Sequence, residues 1–466
     1  MTLRLRRFIY STFIAIFFLV SPPLVFYTAG YRYDFKHNRV IETGSLVVKS
    51  YPAGAEIYLD DELYREKTPT IINTIIPGTM NLRVEKEGYH VWERKIQIEP
   101  RVTTFVETVR LFADTMPVPQ LERSIIDYWW NERENKFVYQ TTDHIRLFNT
   151  FNNSDTLIAN TGPGVSADVA WSPDGQRFIL TRTAYGAEQH FIINANKPDE
   201  FTDLSSITNL SLTTVQWNPL NDNSVYALSN GVLYRIPYLL KEIRLVHQGV
   251  IEDYRAENKR IIFIERAQQR TRYLSWIAPS DPDTIHRVTE ILETGDIAIT
   301  PTHSHRVAYA NERSKTLTVI DPTIVENNIE LAERTIRNVD QAIWSLNGEY
   351  LFYTDGYALY RESFTNPITI IPSKPASQLI TRYSSRINTL LIGDDEAFVY
   401  YTVGETLRVI QIGDERSVRL INELTTMQKP TFLVSKQAIT YIDTSGILQL
   451  LPLTLNRDGG IRFFSG

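Results

Sequence analysis

The chain has 466 residues and no cysteine. A disulfide framework, a thiol nucleophile and a cysteine-ligated metal are all excluded by that absence. Methionine is scarce, at 4 residues; Lys and Arg number 48 against 54 Asp and Glu, a formal net charge of -6, and no basic block follows the N-terminus. Phosphate backbones are held by clustered Lys and Arg, and an acidic chain without such clusters argues against nucleic acid as a partner. Neither a Gly-x-Ser-x-Gly elbow nor a His-Glu-x-x-His pair occurs, which removes two common routes to hydrolysis. Thr161-Gly162-Pro163-Gly164 is glycine-rich but lacks the lysine and the helix of a phosphate loop. The 8 histidines are scattered, with one close pair at His303-Ser304-His305. That pair reads as a solvated turn, because a metal needs further ligands that spacing does not supply. Asp281-Pro282-Asp283 and Asp394-Asp395-Glu396 lack the spacing of a calcium loop and also read as turns. No catalytic, cofactor-binding or metal-ligating residue is assigned on this reading, and no cofactor is expected.

What is present is aromatic and apolar. The chain carries 25 Tyr, 21 Phe and 7 Trp, a load that suits half-buried pleated surfaces better than helices. Its one long apolar run, Phe8 to Tyr27, has no charge and is about the length that spans a bilayer core. Arg4, Arg6 and Arg7 precede it, while Asp34 and Glu42 dilute the basic residues that follow. The positive-inside bias therefore places residues 1–7 in the cytoplasm, residues 8–29 across the membrane and the bulk outside. Tyr27, Tyr31 and Tyr33 fall where an interfacial aromatic belt sits. A cleaved signal peptide is the competing reading, but Tyr27-Thr28-Ala29 lacks the first small residue of a cleavage site. Pro22 and Pro23 are expected to kink the outer turn, which a membrane helix tolerates near its end.

After a linker over residues 30–44, residues 45–112 read as a small β-sandwich. Ser45 to Ser50 and Ala55 to Leu59 alternate polar and apolar, and Asp60-Asp61 is a hairpin turn between Tyr58-Leu59 and Leu63-Tyr64. Met80, Leu82 and Val84 recur at period two, Glu87-Gly88 turns the chain, and Trp92, Ile96 and Ile98 repeat the pattern. Pro52-Ala53-Gly54-Ala55 with Glu56-Ile57-Tyr58-Leu59-Asp60, then Thr68-Pro69, Ile76-Pro77-Gly78 and Val84 to Tyr89, resembles a PEGA domain. Ala53 stands where the family name has Glu. The resemblance implies a non-catalytic module of prokaryotic surface proteins, commonly beside a membrane anchor.

A second linker, 113–124, leads to residues 125–466, which repeat weakly at roughly 37 to 48 residues, within reach of a propeller blade. Tyr128-Trp129-Trp130, Ala170-Trp171-Ser172-Pro173-Asp174-Gly175, Gln216-Trp217-Asn218-Pro219 and Ile343-Trp344-Ser345-Leu346-Asn347-Gly348 align. Looser copies stand near Tyr254, Thr300, Tyr383 and Leu433. Apolar strands follow, such as RFILTR and YLFYTD. A blade cannot bury both faces of its sheet alone, so blades stack around an axis. Eight units are favoured, with seven the nearest alternative; stacked sandwiches and a β-helix are the other architectures. The copy at Trp171 resembles the repeat of TolB-like and WD-type propellers. The recurring Trp and Tyr read as core rather than as a carbohydrate platform.

The chain is thus expected to be all-β behind one transmembrane helix. The favoured function is a non-enzymatic, membrane-anchored envelope protein whose propeller binds a protein or glycan. The alternatives are a propeller-type hydrolase or lyase of envelope polymers, and an envelope-assembly factor docking on a membrane complex.

Overall fold

A computed structural model describes residues 3–28, 30–34, 39–131, 133–267, 271–293, 295–301, 306–321, 333–364, 377–393, 398–411, 414–423 and 427–455. The chain divides into two compact units, Met1–Met116 with the described residues from Pro452 onward, and Pro117–Leu451. Helix α1, Leu3–Thr28, runs through Pro22 and Pro23. Its stretch Phe8–Thr28 is long and apolar enough to cross a membrane, and none of it is buried in the protein.

The expected linker over residues 30–44 is not featureless. Tyr31–Asp34 and Arg39–Glu42 pair antiparallel, with Tyr31 opposite Glu42 and Tyr33 opposite Val40. Beyond it, two sheets face one another. Gly44–Tyr51 is the centre of a three-stranded sheet, antiparallel to Thr70–Ile75 and parallel to Thr103–Arg110. The other sheet runs Glu62–Leu63, Glu56–Leu59, Gly78–Glu85, Trp92–Ile98. Leu46, Val48, Val106 and Val109 of the first meet Ile57, Leu82, Val84, Trp92 and Ile96 of the second. This is the period-two face read from the sequence. Asp60 and Asp61 both adopt positive φ, 45° and 68°, the pairing of a two-residue turn whose twist suits a hairpin. Gly54 sits at φ +80°. Thr68 knits this corner together: its hydroxyl accepts from the Ala55 amide at 3.0 Å, and its amide donates to Ala55 O at 2.9 Å.

Pro117–Leu451 contains eight four-stranded sheets among the described residues. Seven are simple meanders: sheet one runs Asp127–Asn131, Lys136–Gln140, His144–Asn149, Ser154–Asn160. The pattern repeats through sheet seven, which begins at Ile387–Ile392. The first strands of successive sheets lie side by side, as Ile251–Ala256 does with Ile297–Thr300. Each second strand is covered on both faces by neighbouring sheets. Lys136–Gln140, Val225–Ser229, Phe398–Val403 and Ala438–Ile442 are buried along their whole length. Burial on both faces is why these strands read as near-continuous apolar runs instead of alternating. Outer strands such as Ser154–Asn160 are mostly open to water.

The eighth sheet is built from both ends of the unit. Gln428–Leu433, Ala438–Ile442 and Ile447–Pro452 are joined by Val118–Ser124 as outer strand. The segment 113–124, expected as a linker, therefore carries a propeller strand. Its one-sided exposure and Pro119 hide it, since proline is tolerated on an edge strand. Sheets one and eight also meet directly. The Tyr128 hydroxyl lies 2.8 Å from both Lys429 O and Thr440 O, and Lys429 pairs with Asp127. Burial pushes the Tyr128 phenol up to about 12, so it stays a neutral donor across this seam.

Candidate interaction surface

The polar groups of the propeller are spent first on holding its sheets together. Trp171 Nε1 donates to Trp129 O at 3.2 Å, and Trp217 Nε1 donates to Ala170 O at 2.8 Å. Each ring thus spans to the preceding sheet. The turn after Trp171 is closed by its own side chains: the Ser172 hydroxyl bridges Arg177 N and Arg177 O, and Asp174 accepts from the Gln176 amide. Ser345 and Asn347 make the same contacts to Tyr350 and Glu349. Gly175 and Gly348 take φ +75° and +70°, the left-handed region this turn needs.

A second set of contacts was not apparent from the sequence. The Gln140 side chain donates to Val165 O and accepts from Ala167 N, clamping the first strand of sheet two. Gln216 does the same to Tyr254 O and Ala256 N of sheet four. Asp253 accepts from its neighbour Tyr254 N and from Ile299 N of sheet five, both at 2.8 Å. Burial raises the Asp253 carboxyl against the pull of those two amides. Asp127-Tyr128 and Asp253-Tyr254 are the same device: each Asp takes its own Tyr amide, and each Tyr hydroxyl reaches back to the preceding sheet. The recurring Asp-Tyr pair is the signal that could have found it.

In a meander, the turn from second to third strand and the link to the next sheet lie at the same strand end. On this rim, sheets five, six and seven bring together Lys315, Asp340 and Arg386. Asp340 accepts from Arg386 at 2.8 Å and from Lys315 at 3.3 Å. The Arg386 hydrogen bond, with Lys315 assisting, holds the Asp340 carboxyl below the usual carboxylate range. Both cations are more than half exposed, and the carboxylates of Glu312 and Asp355 stand nearby, on the cleft lining and on the turn before Gly356. Tyr357 stands exposed beside them on the turn whose Gly356 faces Arg386 and Asp340. A cleft of about 500 Å³ continues from Asp340 between sheets five and six, past Asn311, Thr316 and Gln341, to Thr300 and the buried Trp344. At the corresponding turn of sheet two, Tyr185 is 98% exposed at φ +52°, followed by Gly186 at φ +79°. Asn or Asp normally fills such a position, so an aromatic is held out to solvent here at some backbone cost. This rim presents cationic donors and aromatic faces to solvent.

The weighed motifs fall elsewhere. His303-Ser304-His305 and Asp394-Asp395-Glu396 lie outside the described residues. The turn expected at Asp281-Pro282-Asp283 sits one step earlier, at residues 279 and 280, and Asp281 opens the outer strand Asp281–Ile291. Thr161 to Gly164 form the loop between sheets one and two, with Gly164 at φ +81°.

Comparison with known proteins names the first unit. Residues 43–110 match the PEGA domain. The match begins at the central strand of the PEGA domain and ends with its parallel edge strand. No curated protein matches the chain. Among solved structures, an oligogalacturonate lyase in complex with manganese is 13% identical, with TM-score 0.40, covering 73% of this chain and 98% of that one. An oligogalacturonate lyase from Vibrio parahaemolyticus is 10% identical, with TM-score 0.39, covering 71% and 97%. Kluyvelomyces marxianus Hsv2 is 11% identical, with TM-score 0.40, covering 65% and 99%. The propeller assignment stands on the strand pairing of Val118–Pro452 itself.

Proposed function

We propose that the protein is a single-pass, membrane-anchored binding or scaffold protein of a prokaryotic cell envelope, non-enzymatic, with its propeller outside the cytoplasmic membrane as the interaction platform. The observation that carries this reading is the helix over Phe8–Thr28, which leaves Phe8, Phe18 and Leu19 at least 70% exposed. Exposed apolar surface of that extent is costly in water, at about 25 cal/mol per Å², and is what a bilayer accommodates. Arg4, Arg6 and Arg7 before it favour a cytoplasmic N-terminus, and the adjoining PEGA domain fits an extracytoplasmic setting. The rim with Lys315, Arg386, Tyr357 and Tyr185 supports a platform for an envelope protein or glycan.

Protease accessibility in intact cells tests the topology. Cleavage beyond Tyr33 from outside, with the N-terminus protected, is the expected result. A bulk that is cut only after membrane disruption overturns it.

A further inference from the structure

The helix does not simply hand over to a flexible tether. Gly30 donates to Tyr27 O at the helix end, and the Thr43 amide and hydroxyl both donate to Gly30 O, at 3.0 and 2.7 Å. The Arg101 amide donates to Thr43 O at 3.0 Å. Arg101, from the PEGA domain, also donates through Nη2 to the Tyr31 hydroxyl at 2.8 Å and meets Glu42 at 2.5 Å, while Tyr31 donates to Glu42 at 2.8 Å. Tyr31, read from sequence as part of an aromatic belt, is thus turned into protein contacts. Arg32 folds back, its guanidinium 3.7 Å from the Tyr27 ring centre and 2.8 Å from Tyr27 O. A cation there complements the carbonyl end of the helix.

Both faces of the hairpin Tyr31–Asp34 with Arg39–Glu42 reach the helix end: Arg32 on one lies over Tyr27, and on the other the Tyr31 ring meets the Phe26 ring edge-on at 5.4 Å. Alternation puts Tyr33 and Val40 on the Tyr31 face, directly opposite one another. They are 45% and 57% exposed. Phe8–Thr28 spans about 31 Å at 1.5 Å per residue, roughly the hydrocarbon thickness, so the residues just after it fall in the headgroup layer. An aromatic beside a branched aliphatic suits that layer, where one end of a side chain is apolar and the other wet.

Resting on the anchor reading above, we propose that this hairpin is a lipid seat. Its Tyr33–Val40 pair beds into the headgroup layer, and the Tyr31–Glu42–Arg101 contacts fasten the PEGA domain to that seat, so the domain is held at the bilayer surface rather than swinging on a tether. The partner of the surface is the lipid interface itself.

A chain with no cysteine allows single nitroxide labels without background substitutions. The full chain is reconstituted in phospholipid vesicles with a label at Val40→Cys, Leu19→Cys or Tyr185→Cys, and collision with oxygen and with an aqueous nickel chelate is measured. The expected result is a Leu19 label shielded from the chelate, a Tyr185 label fully open to it, and a Val40 label several-fold less accessible than Tyr185. A Val40 label as open as Tyr185, with Leu19 still shielded, overturns the seat and leaves the anchor standing. A Leu19 label open to the chelate overturns both.

Discussion

Glu362 has a side chain only 1% exposed, and Arg334 of the adjoining sheet stands with Nη1 2.6 Å from its Oε1. The hydroxyl of Ser377 also donates to this carboxylate. Replacing Arg334 by methionine keeps much of the aliphatic stem and removes the cation. A buried ion pair adds little over an apolar pair, yet removing one partner strands the other charge at about 3–5 kcal/mol. Arg334 is 27% exposed, so water reaches its side and the lower figure, about 3 kcal/mol, applies. Unfolding entropy of about 2.1 cal/mol/K per residue gives roughly 0.7 kcal/mol/K for a unit the size of Pro117–Leu451. The midpoint of the propeller transition should therefore fall by about 4 °C when that unit melts as one. Differential scanning calorimetry of the detergent-solubilised full chain measures it. Arg334→Met with Glu362→Leu should recover most of the loss, because both charges are then gone. A single variant within about 1 °C of the parent refutes the reasoning, as does a double variant no better than the single.

Gln216→Ala frees Tyr254 O and Ala256 N and should cost about 1–2 kcal/mol. Amide hydrogen exchange at Ala256 should accelerate while Phe398–Val403 is unchanged, and unaltered exchange at Ala256 counts against the clamp. Asp253→Ala orphans the Ile299 amide and should cost about 1–3 kcal/mol. Asp253→Asn keeps an acceptor and removes a charge that burial disfavours. With the folded Asp253 value above the unfolded one, the wild-type residue's contribution is present at low pH and lost as pH rises through the folded value. Urea midpoints should thus favour Asp253→Asn over the parent increasingly from pH 4 to 7. His190 is buried between Thr181 and Leu212 O, and burial pushes its imidazole below the ordinary value. The unfolded chain binds that proton first, so stability should fall as pH drops through about 6.5. His190→Gln should flatten the melting temperature between pH 7.5 and 5; identical slopes in both proteins exclude the effect.

Much of this fold was legible because its signals are local. The uncharged run from Phe8, the Asp60-Asp61 turn and the Trp171-Ser172-Pro173-Asp174-Gly175 turn each close on residues a few positions away. Val118–Ser124 was missed because its partner, Ile447–Pro452, lies at the far end of the unit, and an edge strand with one wet face has no apolar signature. The rim at Asp340 was missed for the same reason: Lys315, Asp340 and Arg386 belong to three different sheets, and no spacing rule predicts their meeting.

The inter-sheet clamps fall between these cases. Gln140, Gln216, Asp127 and Asp253 carry no apolar signal when each strand is taken alone. Yet a ring of sheets imposes two repeats at once: an apolar one that fills the space between sheets, and a polar one that ties backbone edges across it. The apolar repeat tolerates Trp, Tyr, Ile or Leu at a given place, since any of them fills volume. The polar repeat has stricter geometry, because a side chain must meet an amide at hydrogen-bond distance and direction. Asp127-Tyr128 and Asp253-Tyr254, three sheets apart, reproduce both the Asp-to-amide bond and the Tyr-to-carbonyl reach. The two Asp-Tyr pairs thus place Asp127–Asn131 and Ile251–Ala256 in equivalent register, each Asp bonding its own Tyr amide and each Tyr hydroxyl reaching the preceding sheet.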